Sequence, residues 1–242
     1  MSKKIKNVNL QKVSCYSNGE LLQLKKALTE SLTNKHTGKM HGMQSLSTSC
    51  LFNPFCKKRR RDQSTVCSQC YAVAHLNFRA NNQPKYKNNI KLWCTEKIPY
   101  AALPDLNNIL FRFESFGDLL NTTQAENYMR LAEKNSLVSC ALWTKNDFIL
   151  ADLFSRRKKP DNLKIVKSAL RVNVPEKKTY AFVDKIFNVF SGKYAAANNV
   201  KITCGGRSCI ECGKCYLDDS DTISELLKND QTKKEFKPLL EF

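Results

Sequence analysis

The sequence predicts an α/β protein built on a parallel sheet, and three observations carry that expectation. Runs rich in branched and aromatic residues, "NILFRF" (108–113), "LVSCALWT" (137–144) and "NLKIVKSALRVNV" (162–174), read as buried strands. Segments with helical periodicity separate them, one beginning near 122 and the other "NDFILADLFSRR" (146–157). Strand, helix, strand at this spacing implies βαβ crossovers, which set neighbouring strands parallel.

The elements follow in chain order. Residues 18–33 place Leu21, Leu24, Leu28 and Leu32 on one helical face. A polar stretch then leads to a first group of cysteines. Pro104 and Asn107 bound the strand at 108–113, and "FESFGDLLNTT" (113–123) turns the chain. Thr123, with Glu126 three residues on, has the form of a capping box, so a helix is expected from there to about Asn135. "YAFVDKIFNVFSG" (180–192) supplies one or two more strands. Parallel sheets carry their active groups at the carboxyl ends of strands. That singles out Glu114, Ser115, Gly117 and Asp118 after one strand, and Thr144, Lys145 and Asn146 after the next. The plainer reading is a turn at Gly117 and Asp118 and a solvated Lys145. One domain over 1–242 is expected: an N-terminal helical region (1–45), a core (46–202), and a cysteine-rich loop with a C-terminal helix (203–242).

Hydrophobic residues make up 42% of the chain and aromatics 10%, which suits a packed core rather than a disordered chain. No apolar run approaches the ~20 residues that cross a bilayer. The basic start has no apolar segment behind it, so no membrane and a cytoplasmic location are expected. A net charge of +18 points to nucleic acid or another polyanion as partner. Lys57, Lys58, Arg59, Arg60 and Arg61 are the candidate contact, in a loop between cysteines; the plainer reading is a solvated surface.

Eleven cysteines in a reducing compartment suggest metal or redox chemistry rather than disulfides. Cys15, Cys94 and Cys140 stand alone and are expected in the core. Cys204, Cys209, Cys212 and Cys215 form a tight group, with Gly205, Gly206 and Gly213 supplying backbone freedom. A consecutive C-x-x-C-x-x-C run is nearer to iron–sulfur ligation than to zinc knuckles, with zinc as the alternative. Upstream, Cys67 and Cys70 are a clean pair, Cys56 is a third ligand, and Cys50 is either a fourth or a bystander. Three ligands would leave an iron with an open position; four would close the site. A third arrangement joins Cys67 and Cys70 to Cys212 and Cys215 around one zinc.

The segments "SLSTSCLFNPFC", "VCSQCYA", "FRFESFGDLLN", "ALWTKN" and "CGGRSCIECGKCY", in that order, resemble the phage gene-product-88-like proteins over roughly residues 40 to 217. That family is in turn similar to radical SAM proteins, which are partial (β/α) barrels with a cysteine-bound four-iron, four-sulfur (4Fe-4S) cluster near the first strand. The resemblance implies a partial (β/α) barrel-like parallel sheet with cysteine-rich metal-binding loops. It assigns Cys56, Cys67 and Cys70 to a cluster, and Cys204, Cys209, Cys212 and Cys215 to an auxiliary one. Ser115, Gly117 and Asp118 would lie where such proteins hold the methionyl end of S-adenosylmethionine. The first cysteine gap departs from the pattern: ten residues lie between Cys56 and Cys67, where radical SAM proteins space their ligands C-x-x-x-C-x-x-C. The function expected is a phage-encoded iron–sulfur protein with a radical-SAM-like site, acting on nucleic acid or a nucleotide. The alternative is a non-catalytic, zinc-stabilised protein that binds nucleic acid or a host protein.

Overall fold

The computed structural model describes residues 16–217 and 220–228. Eight helices are described: α1 (Asn18–Ser31), α2 (Pro54–Arg61), α3 (Tyr71–Phe78), α4 (Gln83–Cys94), α5 (Thr122–Lys134), α6 (Phe148–Phe154), α7 (Gly192–Ala197) and the single turn α8 (Cys209–Cys212). Six strands, β1 (Gln44–Leu46), β2 (Leu110–Phe113), β3 (Ser139–Thr144), β4 (Leu163–Ser168), β5 (Lys185–Phe190) and β6 (Thr222–Leu226), form one sheet. Every neighbouring pair is parallel, and spatial order follows chain order. Sequential order means that each crossover advances the same way, which puts the connecting helices on one face. A doubly wound sheet would instead reverse at a switch point. Among the described residues β1 and β6 do not pair, so the sheet is open.

Alternation along each strand divides the two faces. Phe111, Phe113, Cys140, Leu142, Leu163 and Ile165 pack with Leu28, Trp93, Tyr128, Met129 and Leu150 from the helices. Their alternates, Leu110, Ala141, Trp143 and Val166, face the other way and meet Met43 and Tyr216. The helical face holds the main core, where a fully buried Leu or Phe contributes about 1.5–3 kcal/mol. The second face is covered mainly by the segment that bears Cys209 and Cys215, and it leaves room for a cavity.

The structure refines several expectations. Ser17 caps α1 through a capping box with Glu20, and Leu21, Leu24, Leu28 and Leu32 meet the core. The cap of α5 is Asn121, whose side chain accepts from Gln124 N at 2.9 Å, not Thr123, which lies within the first turn. Residues 162–174 give a strand only to Ser168, and 180–192 give one strand, β5. β1 and β6 are additions; β1 is three residues long, too short for a periodic signal. Cys94 and Cys140 are buried as expected, whereas Cys15 and the expected C-terminal helix beyond 228 lie outside the described residues. Within the expected 203–242 tail, 222–226 is a strand of the sheet. No described helix is long and apolar enough to cross a membrane.

Candidate metal centre

The first group of predicted ligands lies in the long connection between β1 and β2, Ser115, Gly117 and Asp118 follow β2, and the second thiol group lies in the connection from β5 to β6. Beyond β1 the chain passes Ser47 and Thr48 to Cys50 and enters α2, whose first turn carries Cys56. Asn53 caps α2 by accepting from Phe55 N at 2.9 Å, and Pro54 starts it. The basic run is therefore helical, not the loop expected; cations at a helix C-terminus complement the macrodipole. The helix also divides the run. Lys57, Lys58 and Arg61 are exposed, while Arg59 and Arg60 are half-buried and act electrostatically on Cys67 and Cys50 respectively. Thr65 then folds the chain back, its hydroxyl donating to Arg59 O at 2.8 Å. Cys67 and Cys70 flank one tight turn, with Cys70 N donating to Cys67 O at 3.1 Å.

These segments enclose a cavity of about 570 Å³ on the sheet face opposite α1, α4, α5 and α6. Cys50, Cys56, Cys67 and Cys70 line it, and so do Cys204, Cys209 and Cys215 from the second group; Cys212 does not. Ser115, Gly117 and Asp118 share the same wall.

Lys145 is the common neighbour of the first thiol group. Its ammonium interacts with Cys67, Asp118, Cys70 and Cys56, and donates to Ser168 Oγ at 3.0 Å. Asp118 ties the loop after β2 to that after β3: it accepts from Thr144 Oγ1 at 2.5 Å, Leu119 N at 2.8 Å and Lys145 N at 3.0 Å. Burial pushes the Asp118 carboxyl up, with Lys145 opposing. Burial likewise pushes the Cys56 and Cys67 thiols up. A side-chain interaction between Cys50 and Cys70 raises Cys50 and lowers Cys70.

Behind the Gly117–Asp118 turn lies Glu114, in left-handed conformation at φ +56°. Its carboxyl accepts from Thr48 N (3.1 Å) and Oγ1 (3.0 Å), Gln124 Nε2 (2.6 Å) and Tyr128 OH (2.6 Å). Burial pushes it up to about 8, against the pull of those hydrogen bonds. A Cβ on Gly117 would strike the Glu114 carboxyl and stand 2.7 Å from Thr48 Oγ1 and 2.9 Å from Thr48 O. Glycine is required there for space. Ser115 N donates to Ser47 Oγ at 2.9 Å, while Ser115 Oγ is buried without a partner.

The second thiol group is a local construction. Ser208 and Glu211 form a capping box on α8, and Gly213 closes it at φ +61°. Thr203 N and Cys204 N donate to Ser224 O at 3.0 and 2.9 Å, which hangs the segment on β6. Lys39 Nζ approaches Cys204 Sγ at 3.7 Å and pairs with Glu225 at 2.6 Å. Burial pushes Cys215 up to about 12, with Arg112 opposing.

Among the described residues, no three His, Cys, Asp or Glu side chains close around the position of one ion. Sequence reasoning marked Lys145 only as one of several strand-end residues, and missed Arg112, Lys39 and Glu225. Arg112 did carry a signal, as a charge inside the otherwise apolar strand "NILFRF". Comparison with protein-family models, curated proteins and solved structures finds no match for this chain.

Proposed function

We propose that the chain is a phage-type iron–sulfur protein with a radical-SAM-like site, set in a partial (β/α) barrel and acting on nucleic acid or a nucleotide. The observation that carries this reading is one cavity: Cys56, Cys67 and Cys70 share it with Gly117, Asp118 and Lys145 at the carboxyl ends of strands. The donor chemistry fits. Three soft sulfur ligands face Lys145, and Arg59 acts on Cys67, positive charges that oppose the upward push of burial on Cys56 and Cys67. Zinc would draw its sulfurs to about 2.3 Å around a single point. Among the described residues no three of these side chains converge on one ion position.

Cys56, Cys67 and Cys70 would hold that cluster, with Cys50 beside Cys70. The orphaned Ser115 hydroxyl would offer a polar contact for the methionyl end of S-adenosylmethionine. Bound there, the pair supplies one-electron reductive chemistry, and the protein contributes position and electrostatics. Asp118, held by Thr144 and Lys145, fixes the wall, and Lys145 offsets thiolate charge. Cys204, Cys209, Cys212 and Cys215 would hold an auxiliary cluster. Anaerobic purification followed by iron, sulfide and zinc quantitation tests the reading. Brown protein containing iron and sulfide, depleted in Cys56→Ala and Cys67→Ala, is expected; colourless protein with stoichiometric zinc would overturn it.

A further inference from the structure

Arg112 is not explained by the fold; its electrostatic neighbours are Tyr71, Tyr216, Cys215 and Cys209. It lies on β2 between Phe111 and Phe113, and alternation turns its side chain to the cavity face. The guanidinium sits over the Trp143 ring, 3.9 Å from its centroid. Its one hydrogen-bond contact among the described residues is weak, from Nη1 to Met40 Sδ at 3.9 Å, and its Nε is out of solvent without a partner. It joins no ion pair among the described residues. Arg112 is half-buried, and a guanidinium partly withdrawn from water without an anion is costly to hold.

Cys209 and Cys215 neighbour Arg112, but burial pushes both thiols up, and the carboxylates of the wall do not supply that anion either. Lys35, Lys39, Arg79, Lys145 and Lys228 add to Arg112, against Glu114, Asp118 and Glu225. Each of those acids is engaged elsewhere: Glu114 by Thr48, Gln124 and Tyr128, Asp118 by Thr144 and Lys145, and Glu225 by Lys39. Tyr71, Phe116, Trp143 and Phe187 give the same cavity aromatic walls.

We propose that Arg112 anchors the phosphate or carboxylate group of a small organic ligand that enters this cavity. The planar fork of a guanidinium matches both oxyanions. A volume of about 570 Å³ falls among small-molecule sites and leaves no room for a polynucleotide strand. The inference stands on the cavity and on Arg112 and is read by anion binding rather than by metal content, so its failure is separable from failure of the iron–sulfur reading.

Calorimetric titration of the purified, metal-analysed protein tests it, with inorganic phosphate in one arm and malonate in the other. Saturable one-site binding in at least one arm is expected, and the arm that binds tells phosphate from carboxylate. R112Q should weaken that binding about tenfold or more, and R112K, which keeps the charge and loses the fork, should fall between. R112K also keeps the test open if R112Q does not fold. K39A, at a cation already paired, should change it less than about twofold. Absence of binding in both arms, wild-type affinity in R112Q or R112K, or a larger loss in K39A would each overturn the proposal.

Discussion

The two thiol groups line one cavity but are built on different principles. The first is wired into the sheet. Its segment is joined to the loop after β2 through Cys50 N and Phe116 O (3.2 Å), and to the chain beyond β4 through Val66 N and Leu170 O (2.8 Å). Its charge is met by Lys145 from the end of β3. The second group owes its shape to its own capping box, the left-handed glycines Gly206 and Gly213, and three hydrogen bonds with Ser224. Geometry is therefore a property of the whole fold in one case and of a short local motif in the other. A perturbation behind the first group should cost global stability, and one within the second should stay local.

The largest effect should come from Glu114, the post behind the first group. E114A would leave buried donors on Thr48, Gln124 and Tyr128 unpaired, and each such loss costs about 1–3 kcal/mol. A destabilisation of about 3 kcal/mol or more is expected from urea unfolding. The same residue makes stability depend on pH. Its folded value is raised to about 8 from an ordinary 4.5. The contribution is thus complete below about 4.5 and is lost as pH rises through about 8, because the native state retains a proton that the unfolded chain releases. Wild type should lose stability relative to E114Q across this window, by at most about 1.4 kcal/mol per pH unit. A constant difference between the two proteins from about pH 5 to pH 8 would show that Glu114 is not the buried proton carrier.

Next in size is G117A. Its methyl group meets a backbone carbonyl at 2.9 Å, which a rotamer change cannot relieve. Overpacking of this kind costs about 1–3 kcal/mol, and iron retention by the first group should fall with it. G213A is the matched change in the second group. A residue with a Cβ at φ +61° costs about 1 kcal/mol, and the loss should appear as lower iron content with little change in the unfolding midpoint. If G213A lowers the midpoint as much as G117A, the second group is as deeply wired as the first.

The parts of this architecture legible in the sequence were those with a local signature. Phe111 and Phe113, or Cys140 and Leu142, announce buried strands through runs of apolar residues, and the parallel sheet follows from their spacing. Gly117 and Asp118 could be placed at a strand end by the same logic. What stayed hidden is contact between distant segments. Nothing near Lys145 in the chain says that it will face Cys56, Cys67 and Cys70, and nothing near Glu114 foretells Thr48 and Tyr128. The basic run misled for another reason: five cations read as a loop between cysteines, yet Asn53 and Pro54 start a helix that carries them.

That helix supplies the mildest test, because it sets an outward face against an inward one. Lys57, Lys58 and Arg61 are exposed, whereas Arg59 and Arg60 lean on the first thiol group. Replacing the exposed three by Gln should leave the unfolding midpoint and iron content unchanged. If those side chains meet phosphates, the replacement should also flatten the salt dependence of nucleic-acid binding, by about 0.9 in the log–log slope for each duplex contact removed. An unchanged slope would remove the polyanion contact from the outward face. R59Q with R60Q should act in the other direction, lowering iron retention with little effect on salt dependence, because these two arginines lend their charge to sulfur.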